Sequence, residues 1–152
     1  MKKVTFLTLF IIFSANVLWA QSDDEQAIKQ TINNLFLGMK NGDSSLAASA
    51  FAKESILQTI VSKEGKNTIK TESVLGFLKM IAIPRTQIYD ERIVFSKILI
   101  DGALAAVWTE YKFYINERFS HCGVNSFQLV KGEKGWQIAY LIDTRRKDNC
   151  KP

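Results

Sequence analysis

The stretch HCGVNSFQLVKGEKGWQIAYLIDTRR, from His121 to Arg146, decides the fold. It contains two runs rich in β-branched and aromatic residues, separated by the tetrad Gly132-Glu133-Lys134-Gly135. Two such runs on either side of a short glycine-bearing segment predict antiparallel strands joined by a turn. We therefore expect strands over residues 118–131 and 136–144.

Each of these two strands has one face that is bulkier than the other, because side chains alternate between the faces of a strand. The bulkier faces hold Phe127 and Leu129 in the first strand, and Trp136 and Ile138 in the second. We expect these faces to pack against helices. Asp143 then points to the opposite face, provided that no bulge interrupts the second strand. The polar side chains carried to the helix-covered face are His121, Asn125 and Tyr140.

The sequence before this stretch predicts two more strands of the same sheet. Residues 88–100 are rich in Ile, Val and Phe, Asp101-Gly102 is a strong hairpin-turn signal, and residues 103–115 follow. The orientation of the strand over residues 103–115 stays open, because both of its faces carry aromatic residues. Trp108 and Glu110 lie on one face. The other face carries Thr109, Tyr111 and Phe113.

Three helices are predicted ahead of these strands. The first ends at Asn41-Gly42 and has a single apolar face. That face is formed by Ile28, Ile32, Leu35, Phe36 and Met39. Asp43 or Ser44 can cap a second, short helix; a strand over residues 55–61 comes next, and a third helix over residues 71–83. Helices followed by antiparallel strands indicate an α+β fold with the helices on one face of the sheet.

The N-terminus has the layout of a secretory signal peptide. Two lysines precede an apolar stretch from Val4 to Leu18, and Ala20 offers a small residue for cleavage. The apolar stretch is short for a membrane span, which needs about 20 such residues. We expect residues 1–20 to be removed and residues 21–152 to form one exported domain, periplasmic or secreted, without a membrane span.

The charge of the chain is modest. The formal net charge is +5, and the cluster Arg145-Arg146-Lys147 is too short to be a nucleic-acid-binding run interleaved with stacking aromatics. We expect no nucleic-acid partner.

The chain resembles the nuclear transport factor 2-like superfamily, and within it the SnoaL-like and lumazine-binding groups. The resemblance rests on Asn41-Gly42-Asp43 at the end of a helix and on a strand ending in F-x-L-V, a glycine-bearing turn and G-W-x-I, all within the stretch from His121 to Arg146. It implies a cystatin-like cone with three N-terminal helices packed on a curved antiparallel sheet, a pocket at the open end, and a homodimer.

Known chemistries of that superfamily transfer poorly to this chain. The tyrosine and the carboxylate base of ketosteroid isomerases correspond by offset to Leu35 and Thr59, and neither side chain can do that work. Scytalone dehydratase-like sites use a pair of histidines, whereas this chain contains one histidine, His121.

His121 is the candidate for acid–base catalysis, because the pKa of an imidazole lies near neutral pH. Glu110 or Asn125 could orient its ring, and Trp108 and Tyr140 complete the candidate ligand-binding set. A Cys–His nucleophile pair between Cys122 and His121 is disfavoured, since neighbours on a strand point to opposite faces. We expect no metal and no cofactor: too few ligands converge for a metal, and no phosphate loop or dinucleotide motif is present.

The two cysteines predict a disulfide bond. Cys122 and Cys150 both lie in the exported part of the chain, and disulfides persist in oxidising compartments. Cys122 is expected to point away from the pocket, where a returning C-terminal tail can reach it.

Three classes of function remain open from the sequence. The first is an exported binding protein with an apolar pocket for a small apolar or aromatic ligand. The second is a lyase, cyclase or isomerase that uses His121 as acid or base, so the sequence leaves open whether the protein is an enzyme. The third is an envelope interaction protein that uses the open sheet face.

Overall fold

The computed structural model of the protein describes residues 23–151. The predicted signal peptide, residues 1–20, lies outside the described residues. Within the described residues there are three helices: α1 over residues 23–41, α2 over Ser44–Ser49 and α3 over Val74–Ala82. The six strands are β1 Phe51–Lys63, β2 Lys66–Ser73, β3 Tyr89–Asp101, β4 Leu104–Ile115, β5 Arg118–Gly132 and β6 Gly135–Arg146.

The six strands form one mixed sheet in the order β2-β1-β6-β5-β4-β3. The strands β3 to β6 are an antiparallel meander, as the sequence predicts. The prediction of a wholly antiparallel sheet is wrong, because β1 pairs with β6 in parallel. The meander fixes the direction of β6, and β1, which comes directly after α2, adds to its free edge in the same direction.

The strand β2 was not predicted, and α3 begins three residues later than expected. Every residue of β2 is exposed, and its sequence KNTIKTES has no apolar face, so hydrophobic alternation gives no signal there. The strand forms by backbone pairing with β1 across a tight turn, where Glu64 and Gly65 adopt positive φ angles of 51° and 74°. Ser73 then caps α3, with its hydroxyl oxygen accepting a hydrogen bond from the Gly76 amide at 3.0 Å.

The core lies between α1 and the concave face of the sheet. The predicted apolar face of α1 is buried there, with Ile28 and Ile32 fully inaccessible to solvent. On the sheet side, Phe127, Leu129 and Ile138 are also fully inaccessible. The bulkier faces of β5 and β6 at these positions therefore do pack against the helices.

A bulge in β6 changes the direction of its second half. Leu129 pairs with Ile138 while Gln128 pairs with Tyr140, so one extra residue, Ala139, is inserted between them. Side chains beyond it are shifted by one position relative to a regular strand. Tyr140 therefore points to the convex face and Asp143 to the concave face, the reverse of the placement that a regular strand predicts.

Candidate functional site

A cavity of about 250 Å³ opens between the helices and the concave face of the sheet. Its inner wall is apolar and comes from both the helices and the strands. The apolar lining residues are Leu35, Phe36, Met39, Phe51, Leu57, Phe77, Met80, Tyr89, Phe113 and Leu141. The polar lining comes from the strands alone, whereas the residues that α1 and α3 contribute are all apolar. The helix side of the cavity is therefore apolar and the sheet side is mixed.

The innermost polar contact joins Glu91 of β3 to Asn125 of β5. The Asn125 amide nitrogen donates to Glu91 Oε1 at 2.8 Å and lies 3.4 Å from the Thr109 hydroxyl oxygen. Asn125 is only 3% exposed, and Glu91 keeps a small solvent-reachable surface because it lines the cavity. Burial raises the pKa of Glu91 to about 7. The hydrogen bond from Asn125 opposes this rise, the negative charge of Asp143 adds a smaller upward effect, and the positive charge of Arg145 lowers the pKa slightly.

A second polar group surrounds Asp143 on β6. Arg145 Nε donates to Asp143 Oδ2 at 2.9 Å, and the Thr59 hydroxyl donates to Asp143 Oδ1 at 2.5 Å. The Arg145 guanidinium also donates from its terminal nitrogen to the Thr59 hydroxyl oxygen at 3.2 Å. The side chains of this group therefore hydrogen-bond to one another, and Arg145 donates to both Asp143 and Thr59.

Tyr111 of β4 reaches the Asp143 group by lying across β5. Its hydroxyl donates to the Thr144 carbonyl oxygen at 2.9 Å and lies 3.5 Å from Asp143 Oδ2. The ring can take this path because Gly123 lies beneath it: a Cβ at that position would approach the ring within 2.7 Å and the Thr144 carbonyl oxygen within 1.8 Å. Burial, and then the nearby Glu91 and Asp143 charges, raise the pKa of Tyr111, so the phenol stays protonated.

His121 lies at the side of the cavity, half-buried between aromatic rings. Its ring stacks on Phe113 with a centroid distance of 4.9 Å and meets Tyr111 edge-on at 5.8 Å. Its Nδ1 is 3.1 Å from the Ser120 hydroxyl oxygen. Burial, followed by the positive charge of Arg145, lowers the pKa of His121, so the imidazole is neutral at neutral pH.

Two of the five residues predicted for the site line the cavity, namely His121 and Asn125. Trp108 is 47% exposed and faces outward with Glu110, because they pair with Ser126 and Val124 on the outer face of β5. The orientation of β4, which the sequence left open, is thereby settled. Tyr140 is turned outward by the β6 bulge and donates to Gln58 Oε1 at 2.6 Å. Glu110 forms an ion pair with Lys151 at 2.7 Å, and this contact lowers its pKa.

Sequence reasoning did not place Glu91, Asp143 and Arg145 in the candidate site, although all three line the cavity. Glu91 had a detectable signal, since it alternates with Tyr89 and Ile93 and therefore belongs to the apolar face of its strand. A charged residue within such a face is a candidate for a buried functional group. The other two had no comparable signal, because their orientation depends on the bulge.

The predicted disulfide between Cys122 and Cys150 is present, with the two Cα atoms 5.8 Å apart. Cys122 lies on the outer side of β5 and is buried beneath the C-terminal tail. The bond fastens the tail behind the strand segment that carries His121. The open end of the sheet is therefore reinforced from its convex side.

Within residues 23–151, no three His, Cys, Asp or Glu side chains converge on a point that could hold a metal ion. Across the same residues, no helix combines the length and apolar character that a membrane crossing requires.

No protein-family model matches the sequence, and no curated protein matches it significantly. Solved structures match over most of the chain. An NTF2-like protein with a cystatin-like fold from Novosphingobium aromaticivorans superposes with a TM-score of 0.70 at 9% identity, covering 86% of this chain and 87% of that one.

Two further solved structures are similar to this chain. An NTF2-like protein of unknown function from Shewanella baltica has a TM-score of 0.66 and 16% identity, covering 84% of this chain and 97% of its own. A domain of unknown function with a cystatin-like fold from Nostoc punctiforme has a TM-score of 0.62 and 16% identity, with 84% and 80% covered. These likenesses agree in topology and are too distant in sequence to carry a function. The chain therefore has the cystatin-like fold of the nuclear transport factor 2-like proteins.

Proposed function

We propose that the protein is an exported small-molecule-binding protein whose ligand occupies the cone cavity. The observation that carries the proposal is the Glu91–Asn125 pair, two hydrogen-bonded polar side chains that line a cavity whose helix side is apolar. Apolar cavities with a few convergent polar groups are the usual form of small-molecule sites. The apolar body of the ligand would pack against the helices, and its polar group would meet Glu91 and Asn125.

A neutral aromatic fluorophore tests this proposal. N-phenyl-1-naphthylamine should become fluorescent on entering the cavity, and Met80→Trp should block the entry. Met80 lines the cavity and is 36% exposed, so a larger side chain there narrows the mouth at little cost to folding. The matched control is Leu75→Trp on the same helix, where the side chain is 63% exposed and does not line the cavity.

We expect the fluorescence titration to be lost in Met80→Trp and unchanged in Leu75→Trp. Equal binding by both variants, with native circular dichroism, would show that the fluorophore binds elsewhere and would contradict the proposal. If the titration is lost only in Met80→Trp, mass spectrometry of molecules released from protein purified from its native host would identify the natural ligand.

Proton-transfer catalysis is the second candidate function. It is favoured by the pKa of Glu91, which at about 7 lets the carboxyl group both accept and donate a proton near neutral pH. The base in this scheme is Glu91 rather than His121, although neutral His121 can accept a hydrogen bond beside it.

5-Nitrobenzisoxazole is a suitable generic substrate for this test. Removal of its C–H proton by a carboxylate breaks the N–O bond and gives a nitrile and a phenolate. The rate should rise with pH through about 7 and be lost in Glu91→Gln, whereas His121→Ala should retain most of it. Loss of the reaction in His121→Ala alone would assign the base to His121, and no reaction above buffer would remove the catalytic candidate.

Export remains part of the proposal. The disulfide between Cys122 and Cys150 supports it, because disulfides persist in the periplasm and outside the cell. Protein recovered from the native host should have a mass that begins at Gln21. Protein that retains Met1 would contradict cleavage after Ala20.

Self-association through the convex face is the remaining proposal. Exposed apolar side chains there support a homodimer, and they include Val94, Leu99, Leu104, Trp108 and Val130. Light scattering should give twice the chain mass, and Trp108→Glu should give the monomer. A monomeric wild type would instead favour an envelope partner for this face.

A further inference from the structure

The charges that face the cavity are unevenly balanced. Three carboxyl groups line it, those of Glu72, Glu91 and Asp143, against a single guanidinium, that of Arg145. His121 adds no charge at neutral pH, because its pKa is lowered by burial and by Arg145. Among the described residues, the lining therefore has a formal charge of −2 with Glu91 ionised and stays negative, at −1, with Glu91 protonated.

The single guanidinium does not neutralise Glu91. Arg145 donates to Asp143 at 2.9 Å and to Thr59 at 3.2 Å. Within residues 23–151, the Glu91 carboxyl group receives one side-chain hydrogen bond, from the Asn125 amide, and no Lys, Arg or His nitrogen lies within 4.0 Å of it. A buried carboxylate in this position lacks a cation, and burial of a charge is costly without one.

We propose that the ligand is an amine with an apolar body, and that its protonated nitrogen contacts the Glu91 carboxylate. This inference rests on the proposed function of the cavity as a binding site and names the chemical class of its ligand. The ammonium group supplies the positive charge that the protein leaves out. Its N–H groups match the carboxylate oxygen that Asn125 does not occupy.

The surroundings of Glu91 favour a cation over an anion or a neutral group. The Phe113 side chain lies directly across from Glu91 in the β3–β4 register, and Tyr89 and Tyr111 also line the cavity. Aromatic faces attract an ammonium group. A carboxylate ligand would face Glu91 and Asp143 while the Arg145 guanidinium is already occupied.

Besides Tyr89 on the same strand, titratable or charged side chains line the cavity from four other strands. They are Glu72 from β2, Tyr111 from β4, His121 from β5, and Asp143 and Arg145 from β6. The helices α1 and α3 contribute only apolar side chains to the lining. Burial raises the pKa of Glu91 to about 7, whereas burial and Arg145 lower the pKa of His121 from its ordinary value. Amine binding should therefore depend on pH through Glu91.

Three probes of matched shape test the inference by isothermal titration calorimetry: 2-naphthylmethylamine, 2-naphthylmethanol and 2-naphthoate. At pH 8 we expect the amine to bind about ten-fold more tightly than the alcohol, and the carboxylate most weakly. Between pH 8 and pH 6 the affinity for the amine should fall about ten-fold, because the ionised fraction of Glu91 falls from about 0.9 to about 0.1 while the ammonium stays protonated. At pH 6 binding of the amine should release close to one proton, measured in buffers of different ionisation enthalpy.

Glu91→Gln supplies the decisive variant, since it keeps the shape and the hydrogen bond and removes the charge. It should bind the alcohol as the wild type does and lose both the preference for the amine and its pH dependence. The matched control is Glu110→Gln on the convex face. It should leave the affinities for the three probes and the pH dependence of amine binding unchanged.

The outcomes separate this inference from the function on which it rests. Equal affinity for the amine and the alcohol, tighter binding of the carboxylate, or an amine preference that survives in Glu91→Gln would overturn the amine class and leave a binding cavity. Failure of all three probes to bind folded wild-type protein would overturn the proposed function together with the inference.

Discussion

The concave face of the sheet has a closed half and an open half. The same strands form both, but the closed half is apolar and the open half carries polar side chains. In the closed half, Phe127 and Leu129 of β5 pack against α1 and are fully buried. In the open half, Asn125 and His121 continue the same face of the same strand. The two halves differ because α1 packs over the closed half and ends at residue 41. Polar groups in the open half therefore line a cavity. Strand alternation decides which side chains face inward, and the helices decide which of them form a core.

The largest expected effect is in the closed half. Phe127→Ala should destabilise the protein by about 3–5 kcal/mol, because it leaves a void where the ring meets Phe36 edge-on at 6.3 Å. Urea denaturation followed by circular dichroism measures this. A decrease in the free energy of unfolding below about 1 kcal/mol would mean that the closed half tolerates a cavity as the open half does. That result would contradict the difference between the two halves.

The disulfide lies on the convex side of the open half, and its removal should have the second-largest effect on stability. Replacing both cysteines, Cys122→Ser with Cys150→Ser, should cost about 3–4 kcal/mol, since the bond closes a loop with a sequence separation of 28 residues. Hydrogen exchange should accelerate first near His121 and Arg146, at the open end of β5 and β6. Uniform acceleration that includes Phe127 would show that the two halves unfold together.

Glu91 should make the stability of the open half depend on pH. Its pKa is raised in the folded protein to about 7 from an ordinary value of 4.5, so between these values the folded state holds more protons than the unfolded state. The free energy of unfolding should therefore fall as pH rises from about 4.5 to 7, by about 1–3 kcal/mol, because water in the cavity screens part of the burial cost. Glu91→Gln should remove this slope, and a slope that persists in the variant would assign it to another group.

The smallest effects compare two tyrosines on opposite faces. Tyr140→Phe removes the hydrogen bond to Gln58 on the convex side and should cost about 0.5–1 kcal/mol. It should leave binding of the naphthyl amine unchanged. Tyr111→Phe removes the bond to the Thr144 carbonyl beneath the cavity and should alter both stability and binding. Identical binding by the two variants would place the ligand away from the open half.

Sequence reasoning reached the meander, the helix faces and the disulfide because each has a local or compositional signal. It reached only part of the site. His121 and Asn125 lie on β5, outside the β6 bulge, and follow regular alternation from Phe127. The structure therefore places both on the predicted face of the sheet. Tyr140 and Asp143 come after the bulge and exchanged faces, and no residue type near Ala139 marks the insertion.

The sequence by itself determined the order of the three helices and of every strand except β2, the apolar face of α1, and the pairing of the two cysteines, since periodicity and cysteine count are properties of the chain. Only the tertiary structure decided the parallel addition of β1, the outward turn of Trp108 and Glu110, and the meeting of Glu91 with Asn125 across β4. Register and bulges arise from the pairing of distant segments, and shifting a strand by one residue sends every later side chain to the other face. The pKa of Glu91 follows from that placement, because the same carboxyl group on the convex face would be solvated and ordinary.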